Sequence, residues 1–323
     1  MSGRLSDTLH IPRLDFERRL EPGGDLVLHG AGQSPEAFNE YFEALGEHKP
    51  LLYMSYVTLK DEMPVYFQWL KEQLDEYLPY ELIPQIGLHL AGDALDEQAV
   101  PHYEQEVADG QLDDQIQAFC EGLRLLQRPA YVRIGFEFNG PWNGYEPEAY
   151  QAAWRRIVST FRTVGLDQVA AVWCYCPLPS SREHPQGRDR DYLAYYPGDD
   201  YVDWWSIDLF SAQDFRLDNT QAFMHDALHH GYPVMIGEST PRWVGGVQGG
   251  EETWRTWFDP YFTFIRTWPT VKAFCYISWN WEQYPIWADW GDARIWENEG
   301  ILQHYRQEMA NALYRHASMK SGG

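Results

Sequence analysis

Short apolar runs and amphipathic stretches alternate along this chain from one end to the other. Asp25 to His29 (DLVLH) reads as a buried strand, and Pro35 to Leu45 follows with apolar residues at helical spacing. Leu51 to Tyr56 (LLYMSY) predicts a second strand and Pro64 to Tyr77 a second helix. A third strand (QIGLHL) lies within Glu81 to Leu90, and its helix spans Asp113 to Leu126. Tyr131 to Phe138 (YVRIGFEF) is the fourth strand; Pro147 to Val164 is its helix, with proline at the start and Gly165 just past the end. Gln168 to Tyr175 is the fifth strand, followed by a polar loop carrying Pro177, Pro179, Pro185 and Gly187. Val202 to Phe210, Pro233 to Glu238 and Val271 to Asn280 give the last three strands. Asn219 to His229, Glu251 to Trp268 and Ile301 to His316 give the matching helices.

Eight strand–helix pairs whose strands read as continuous apolar runs imply a parallel sheet covered on its outer face. The expected fold class is α/β, a single (β/α)8 TIM barrel filling residues 1–323, with 1–24 as an N-terminal extension. A doubly wound open sheet would show a glycine-rich phosphate turn after its first strand, and His29-Gly30-Ala31-Gly32-Gln33 is too short for that fingerprint.

In such a barrel the chemistry sits at the C-terminal ends of the strands. Reading those ends gives His29, Tyr56, His89, Glu137, Trp173 with Tyr175, Asp208, Glu238, and Trp279 with Trp281. Glu137 and Glu238 close the fourth and seventh strands. Two carboxylates facing one cleft can divide roles, one protonated as an acid and one ionised as a nucleophile, as glycosidic bond cleavage requires. The bland reading of each is a rim glutamate in a salt bridge. Trp142, Trp279 and Trp281 stand in loop or strand-end settings that suit stacking on sugar rings, with packing between rim loops as the alternative. Trp204 and Trp205 are neighbours, so one faces inward and one outward.

Charge narrows the partners. Twenty-five Lys and Arg against 48 Asp and Glu give a formal net charge of −23. That balance disfavours nucleic acid and anionic membrane surfaces and suits a neutral substrate. The four cysteines are too scattered for a disulfide framework, so Cys174-x-Cys176 on one strand reads as two buried thiols. The first strand has no H-x-H for a dinuclear centre, and no metal or other cofactor is expected. His229-His230 reads as a helix C-terminus, and Asp113-Asp114 and Asp199-Asp200 as cap or loop residues. The first 25 residues lack the apolar segment of a leader, and no run approaches the ~18–20 apolar residues of a membrane helix. The expectation is an intracellular protein, or a secreted one whose leader has been removed.

The segment Arg133-Ile134-Gly135-Phe136-Glu137-Phe138-Asn139-Gly140-Pro141-Trp142 resembles the fourth-strand motif of family 26 glycoside hydrolases, in clan A. Tyr150 to Arg156, Tyr196-Pro197-Gly198-Asp199 with Val202-Asp203-Trp204, and Ile236-Gly237-Glu238 resemble further family segments, so the likeness runs from about residue 130 to 240. The resemblance implies a retaining hydrolase of β-linked polysaccharides, with Glu137 as acid/base and Glu238 as nucleophile. Arg133, Asn139, His89, Asp208, Trp142, Trp173, Tyr175, Trp279 and Trp281 are the residues expected to bind substrate. Strand alternation places Arg133, Gly135 and Glu137 on one face. Phe136 stands where the family usually has His and Phe210 where it usually has a nucleophile-bonding Tyr. These departures fit the alternative of a carbohydrate-binding barrel without catalysis.

Overall fold

The computed structural model describes residues 11–92, 101–178, 192–244 and 246–319. Pro179, Pro185 and Gly187 of the predicted polar loop lie outside the described residues. Eight strands follow one another round a closed, all-parallel barrel: β1 Val27–Gly32, β2 Leu52–Thr58, β3 Ile83–His89, β4 Ala130–Ile134, β5 Val169–Tyr175, β6 Trp204–Leu209, β7 Val234–Ser239 and β8 Val271–Ile277. β1 pairs with both β8 and β2, which closes the ring. The (β/α)8 barrel expected from the alternating pattern is the architecture observed.

The helices are α1 Pro35–Ala44, α2 Met63–Asp75, a short α3 Glu104–Ala108, α4 Asp113–Leu126, α5 Pro147–Thr163, α6 Asp218–His230, α7 Gly246–Gly249, α8 Glu251–Thr253, α9 Asp259–Thr267 and α10 Glu299–Met309. Their ends follow local chemistry. The Ser34 hydroxyl accepts from the Ala37 amide to open α1, and Gly231, in the left-handed region at φ 74°, closes α6 after His229-His230. One face of α5, built from Tyr150, Trp154, Ile157, Val158 and Phe161, is buried against the barrel. No helix among the described residues is long and apolar enough to cross a membrane.

Three boundaries differ from the sequence reading. The helix predicted over Ile301 to His316 stops at Met309, and Tyr314–Arg315 forms a ninth short strand, β9, beside β1. The helix predicted over Glu251 to Trp268 is interrupted by a π turn at Trp254–Phe258. β4 ends at Ile134, because Gly135 and then Glu137 take left-handed backbone angles of φ 50° and 51°. Alternation therefore stops before Glu137, and the single face expected for Arg133, Gly135 and Glu137 does not exist.

Alternation elsewhere sorts the strand residues into two layers. Cys174 and Asp208 point into the barrel, where both meet Arg133. Trp173 and Tyr175 therefore point outward. Trp173 is fully buried between Phe138, Trp205 and Phe223, and Tyr175 stacks on Phe223 of α6. Both were expected in the cleft; both belong to the helix-facing layer. His29 is likewise buried outside the barrel, between Tyr41 and His316, and is not on the rim. Trp204 and Trp205 divide as expected: Trp204 meets Tyr131, and Trp205 meets Trp173.

Residues 11–25 run beneath the barrel. Lys272, with no exposed surface, donates to the carbonyls of Leu14 and Gly24 at 3.0 and 2.8 Å and faces Glu21 at 3.6 Å. Tyr131 and Trp204 donate to the carbonyls of Leu20 and Arg19. Arg13 donates to the carbonyls of Ile265 and Trp268 at the end of α9.

Candidate active site

Arg133 is the centre of the upper barrel. Its guanidinium is fully buried; Nη1 donates to both oxygens of Asp208 at 2.9 and 3.0 Å, and Nη2 donates to Oε1 of Glu238. Its third donor, Nε, is buried without a partner among the described residues. Burial works against this charge, but Asp208 and Glu238 outweigh it and hold the guanidinium firmly protonated.

Glu238 reaches Arg133 because β7 carries an extra residue. Ile207 of β6 lies opposite Ile236, but Leu209 lies opposite Ser239, so three residues of β7 face two of β6. This bulge sits at Gly237-Glu238 and re-aims Glu238 into the barrel. Gly237 is required there. A Cβ on it would lie 2.5 Å from Arg133 Nη1, 2.7 Å from Asp208 and 2.7 Å from the Ser206 hydroxyl.

Glu137 sits across the mouth on the turn that follows β4. Its left-handed backbone is uncommon for a residue with a side chain and costs on the order of 1 kcal/mol or more. Two asparagines hold the turn. Asn143 donates to the carbonyls of Phe136 and Glu137 at 2.9 and 3.0 Å. The Asn139 amide bonds both the carbonyl and the N–H of Cys176, at 2.7 and 3.0 Å, tying the turn to the end of β5. Asn139, expected to bind substrate, is thus occupied by the backbone. Burial first, then the charges of Asp208 and Glu238, push the Glu137 carboxyl well above the usual carboxylate range, against the pull of Arg133. Burial and Glu238 likewise raise Asp208, which Arg133 restrains, to about 7. Three carboxyl groups share one cation, which favours a proton on one of them.

The walls are aromatic. The Trp142 indole, 45% exposed, donates to Glu137 Oε2 at 2.7 Å. Phe136 lies under the Arg133 guanidinium, 4.6 Å from its ring centre, and against His89 and Tyr56. Tyr56 is held protonated by burial first and the Glu238 charge next. Gly87 makes room for this group, since a Cβ there would lie 2.8 Å from Tyr56 and 2.9 Å from Phe136. Trp279 is partly exposed and stacks on Tyr284. Trp281 is buried instead, donating to the Thr240 hydroxyl at 3.1 Å and packing on Trp287 and Trp290. It is the core of its loop rather than an open platform.

The structure thus gathers Glu137, Glu238, Arg133, Asp208, His89 and Trp142 around the mouth, with Trp279 on the rim. It sets Trp173, Tyr175, Asn139 and Trp281 to structural tasks. Sequence reasoning missed Asn143 and the pair Arg242-Trp243, and met Gly237 only as part of a family-like segment, without a role. The positive φ values and the bulge that give them meaning leave no mark in a hydropathy pattern. The four cysteines are free and buried, and no described group of His, Cys, Asp or Glu is placed to hold a metal ion.

No family model matches the chain. It is 29% identical over 237 residues to a β-1,3-xylanase of Alcaligenes sp., covering 65% of this chain and 49% of that protein. It is 26% identical over 327 residues to the β-1,3-xylanase TXYA of Vibrio sp., covering 90% of this chain and 66% of that protein. The chain thus spans about half to two-thirds of the length of these relatives. Among solved structures, the Bacillus subtilis mannanase man26 superposes with a TM-score of 0.63 at 19% identity, covering 94% of this chain and 90% of that one. The catalytic domain of a Bacillus sp. JAMB-750 GH26 endo-β-1,4-mannanase gives 0.62 at 13% identity, covering 92% and 89%. The chain resembles the clan A glycoside hydrolases of family 26. The structural neighbours share its barrel.

Proposed function

We propose that this protein is a retaining glycoside hydrolase of β-linked glycans, with β-1,3-xylan the first substrate to try. The observation that carries the reading is the buried Arg133, which bonds Glu238 and Asp208 at once beneath the raised carboxyl of Glu137. In this reading Glu238, held through Oε1, attacks the anomeric carbon with its other oxygen and displaces the leaving sugar. Glu137 gives its proton to the departing oxygen, so that no alkoxide forms. The same carboxylate then takes a proton from water, which attacks the glycosyl-enzyme and frees Glu238 with net retention. The names of the relatives suggest the β-1,3-xylan; the aromatic rim and negative surface suit a neutral sugar chain.

Reducing-sugar release from β-1,3-xylan, β-1,4-mannan, β-glucans and algal galactans tests this, with Glu137→Ala and Glu238→Ala alongside. Release from one glycan that disappears in both variants is the expected outcome, with the β-anomer appearing first by NMR. A first-formed α-anomer would sink retention. The placement of Phe136 and Phe210, apolar and buried at the site, favours a second reading, a barrel that binds sugar without cutting it. Sugar binding with no release across the panel would select it. The acid role also fixes a pH sign: activity falls on the alkaline side as pH rises through the elevated Glu137 value.

A further inference from the structure

The loop after β7 carries a cation that the proposed mechanism does not use. Arg242 lies four residues beyond Glu238, with its guanidinium carbon 4.0 Å from the Trp243 ring centre and 4.5 Å from that of Trp290. The guanidinium thus packs against two indole faces, which offer no hydrogen-bond acceptor to its in-plane N–H groups. Among the described residues they meet no hydrogen-bond partner, and Nε is buried without one. An unpartnered buried donor is costly, so a site that keeps one in place is set up for an incoming acceptor.

Hydrogen bonds and ring contacts brace this stack. The Arg242 amide donates to the carbonyls of Phe210 and Thr240, and the Trp243 amide donates to the carbonyl of Trp290 at 3.3 Å. The Trp243 indole donates to Asp289 at 3.0 Å, and Trp290 is wedged against Phe210 and Trp281. Trp243 holds φ 67°, a strained angle for a large side chain, and is 53% exposed. A strained, braced tryptophan turned to solvent beside a cleft is a poor choice for packing and a good one for recognition. The carboxylates nearest Arg242 are Asp214 and Asp289, two against one guanidinium, so the local balance is negative.

We propose that Arg242 and Trp243 form a glycan subsite beside the cleaved bond. One sugar presents a vicinal pair of uncharged hydroxyls to the in-plane N–H groups of Arg242 at the edge of the stack, and the next sugar of the chain lies on the open face of Trp243. The surrounding carboxylates select a neutral sugar over a uronate. This inference rests on the reading of the chain as a glycan-acting protein.

The test is calorimetric titration of β-1,3-xylotetraose and β-1,4-mannotetraose into the full chain carrying Glu238→Gln, with Arg242→Ala, Arg242→Lys, Trp243→Ala and Trp243→Phe added singly. Hydrolysis of the same sugars is measured without the Glu238 change. Loss of the charge-assisted bonds weakens binding of the recognised sugar by roughly tenfold to a hundredfold in Arg242→Ala. The rise is expected in KM, with kcat changed far less, a split that loop loosening alone would not give. Arg242→Lys also loses affinity, because an ammonium has no planar fork to stack. The lysine and phenylalanine variants decide the matter if the alanine variants fail to fold. Affinity within about twofold of the parent in Arg242→Lys and Trp243→Phe, with hydrolysis intact, would overturn the subsite and leave the hydrolase standing. Neither binding nor hydrolysis of any tested glycan by the unvaried chain would remove both. Tighter binding of a glucuronate-substituted oligosaccharide than of its neutral counterpart would overturn the neutral hydroxyl pair.

Discussion

The two ends of the barrel each bury a cation, and they treat it in opposite ways. At the lower end Lys272 meets two carbonyls and one carboxylate, and the carboxylate, Glu21, takes backbone amides as well. At the upper end Arg133 is shared by Asp208 and Glu238 with Glu137 nearby, and among the described residues its Nε and the Gln85 carbonyl oxygen meet no hydrogen-bond partner. The backbone is irregular at both ends: the lower carries a register shift at Lys272 and left-handed Glu17 and Leu20, the upper a bulge at Gly237-Glu238 and left-handed Glu137 and Trp243, so the division lies in how the charges are met and not in the chain path. A satisfied buried charge supports the fold. A crowded one keeps carboxyl groups at raised proton affinity, at a cost to stability that the rest of the barrel offsets.

The largest effect expected from this contrast is at the upper end. On the proposed role of Glu238 as nucleophile, Glu238→Gln lowers turnover by at least about a thousandfold, while the unfolding midpoint stays or rises because a crowded charge is gone. Full activity in that variant, or a collapse of the midpoint, would break the comparison. At the lower end Lys272→Met does the reverse. Leaving Glu21 buried without its cation costs on the order of 3–5 kcal/mol in denaturant unfolding, with kcat of the surviving folded protein unchanged. An equal loss of kcat would mean that the two ends are coupled.

Gly237→Ala is the next step down. Its methyl must displace Arg133, Asp208 or Ser206, so kcat falls by about tenfold to a hundredfold with only a modest fall in the midpoint. Retained activity would show that the ion cluster moves aside freely.

The smallest effect concerns a polar cluster outside the barrel. His316 Nε2 must donate to the Met309 carbonyl, so its Nδ1, 2.9 Å from Nδ1 of His29, is an acceptor while the ring is neutral. His29 also bonds Tyr41 at 2.7 Å, and the His48 ring lies 4.9 Å from that of His316. Burial foremost, and the neighbouring histidines, lower both values below the ordinary 6.5. The unfolded chain therefore takes up protons first. Stability is present above pH 6.5 and lost as pH falls below it. Each tenfold rise in proton concentration removes up to about 1.4 kcal/mol through the fully buried His29, and less through His316, which solvent partly screens. His316→Asn flattens this slope in thermal melts between about pH 5 and 8. An unchanged slope would place the acid sensitivity elsewhere.

How much of the site was legible depended on what kind of feature each residue represents. Glu137, Glu238 and Asp208 follow apolar runs, so their place at or just past strand ends was readable from periodicity, whereas Arg133, inside its strand, stood out only through the family-like motif around Glu137. Trp173 and Tyr175 also end an apolar run, but the inward thiol of Cys174 fixes them outward, and only a known parity could show it. Asn139 sits in the motif as expected, yet its amide is spent on Cys176, a partner 37 residues away. Arg242 and Trp243 carry no motif, because their meaning lies in contacts with Trp290 from another loop.

The sequence by itself determined the barrel, since eight alternations of apolar strand and amphipathic helix leave one economical way to bury every strand. It also determined which end of each strand bears the polar residues, because core-forming runs end where the chemistry begins. Only the tertiary structure decided where those side chains point. A single extra residue in β7 turns Glu238 inward, two left-handed residues carry Glu137 out of the sheet, and strand parity sends two expected platforms under the helices. Each of these is a matter of register and backbone angle. Both are set by neighbouring strands and loops that lie far away in sequence, and hydropathy does not encode them.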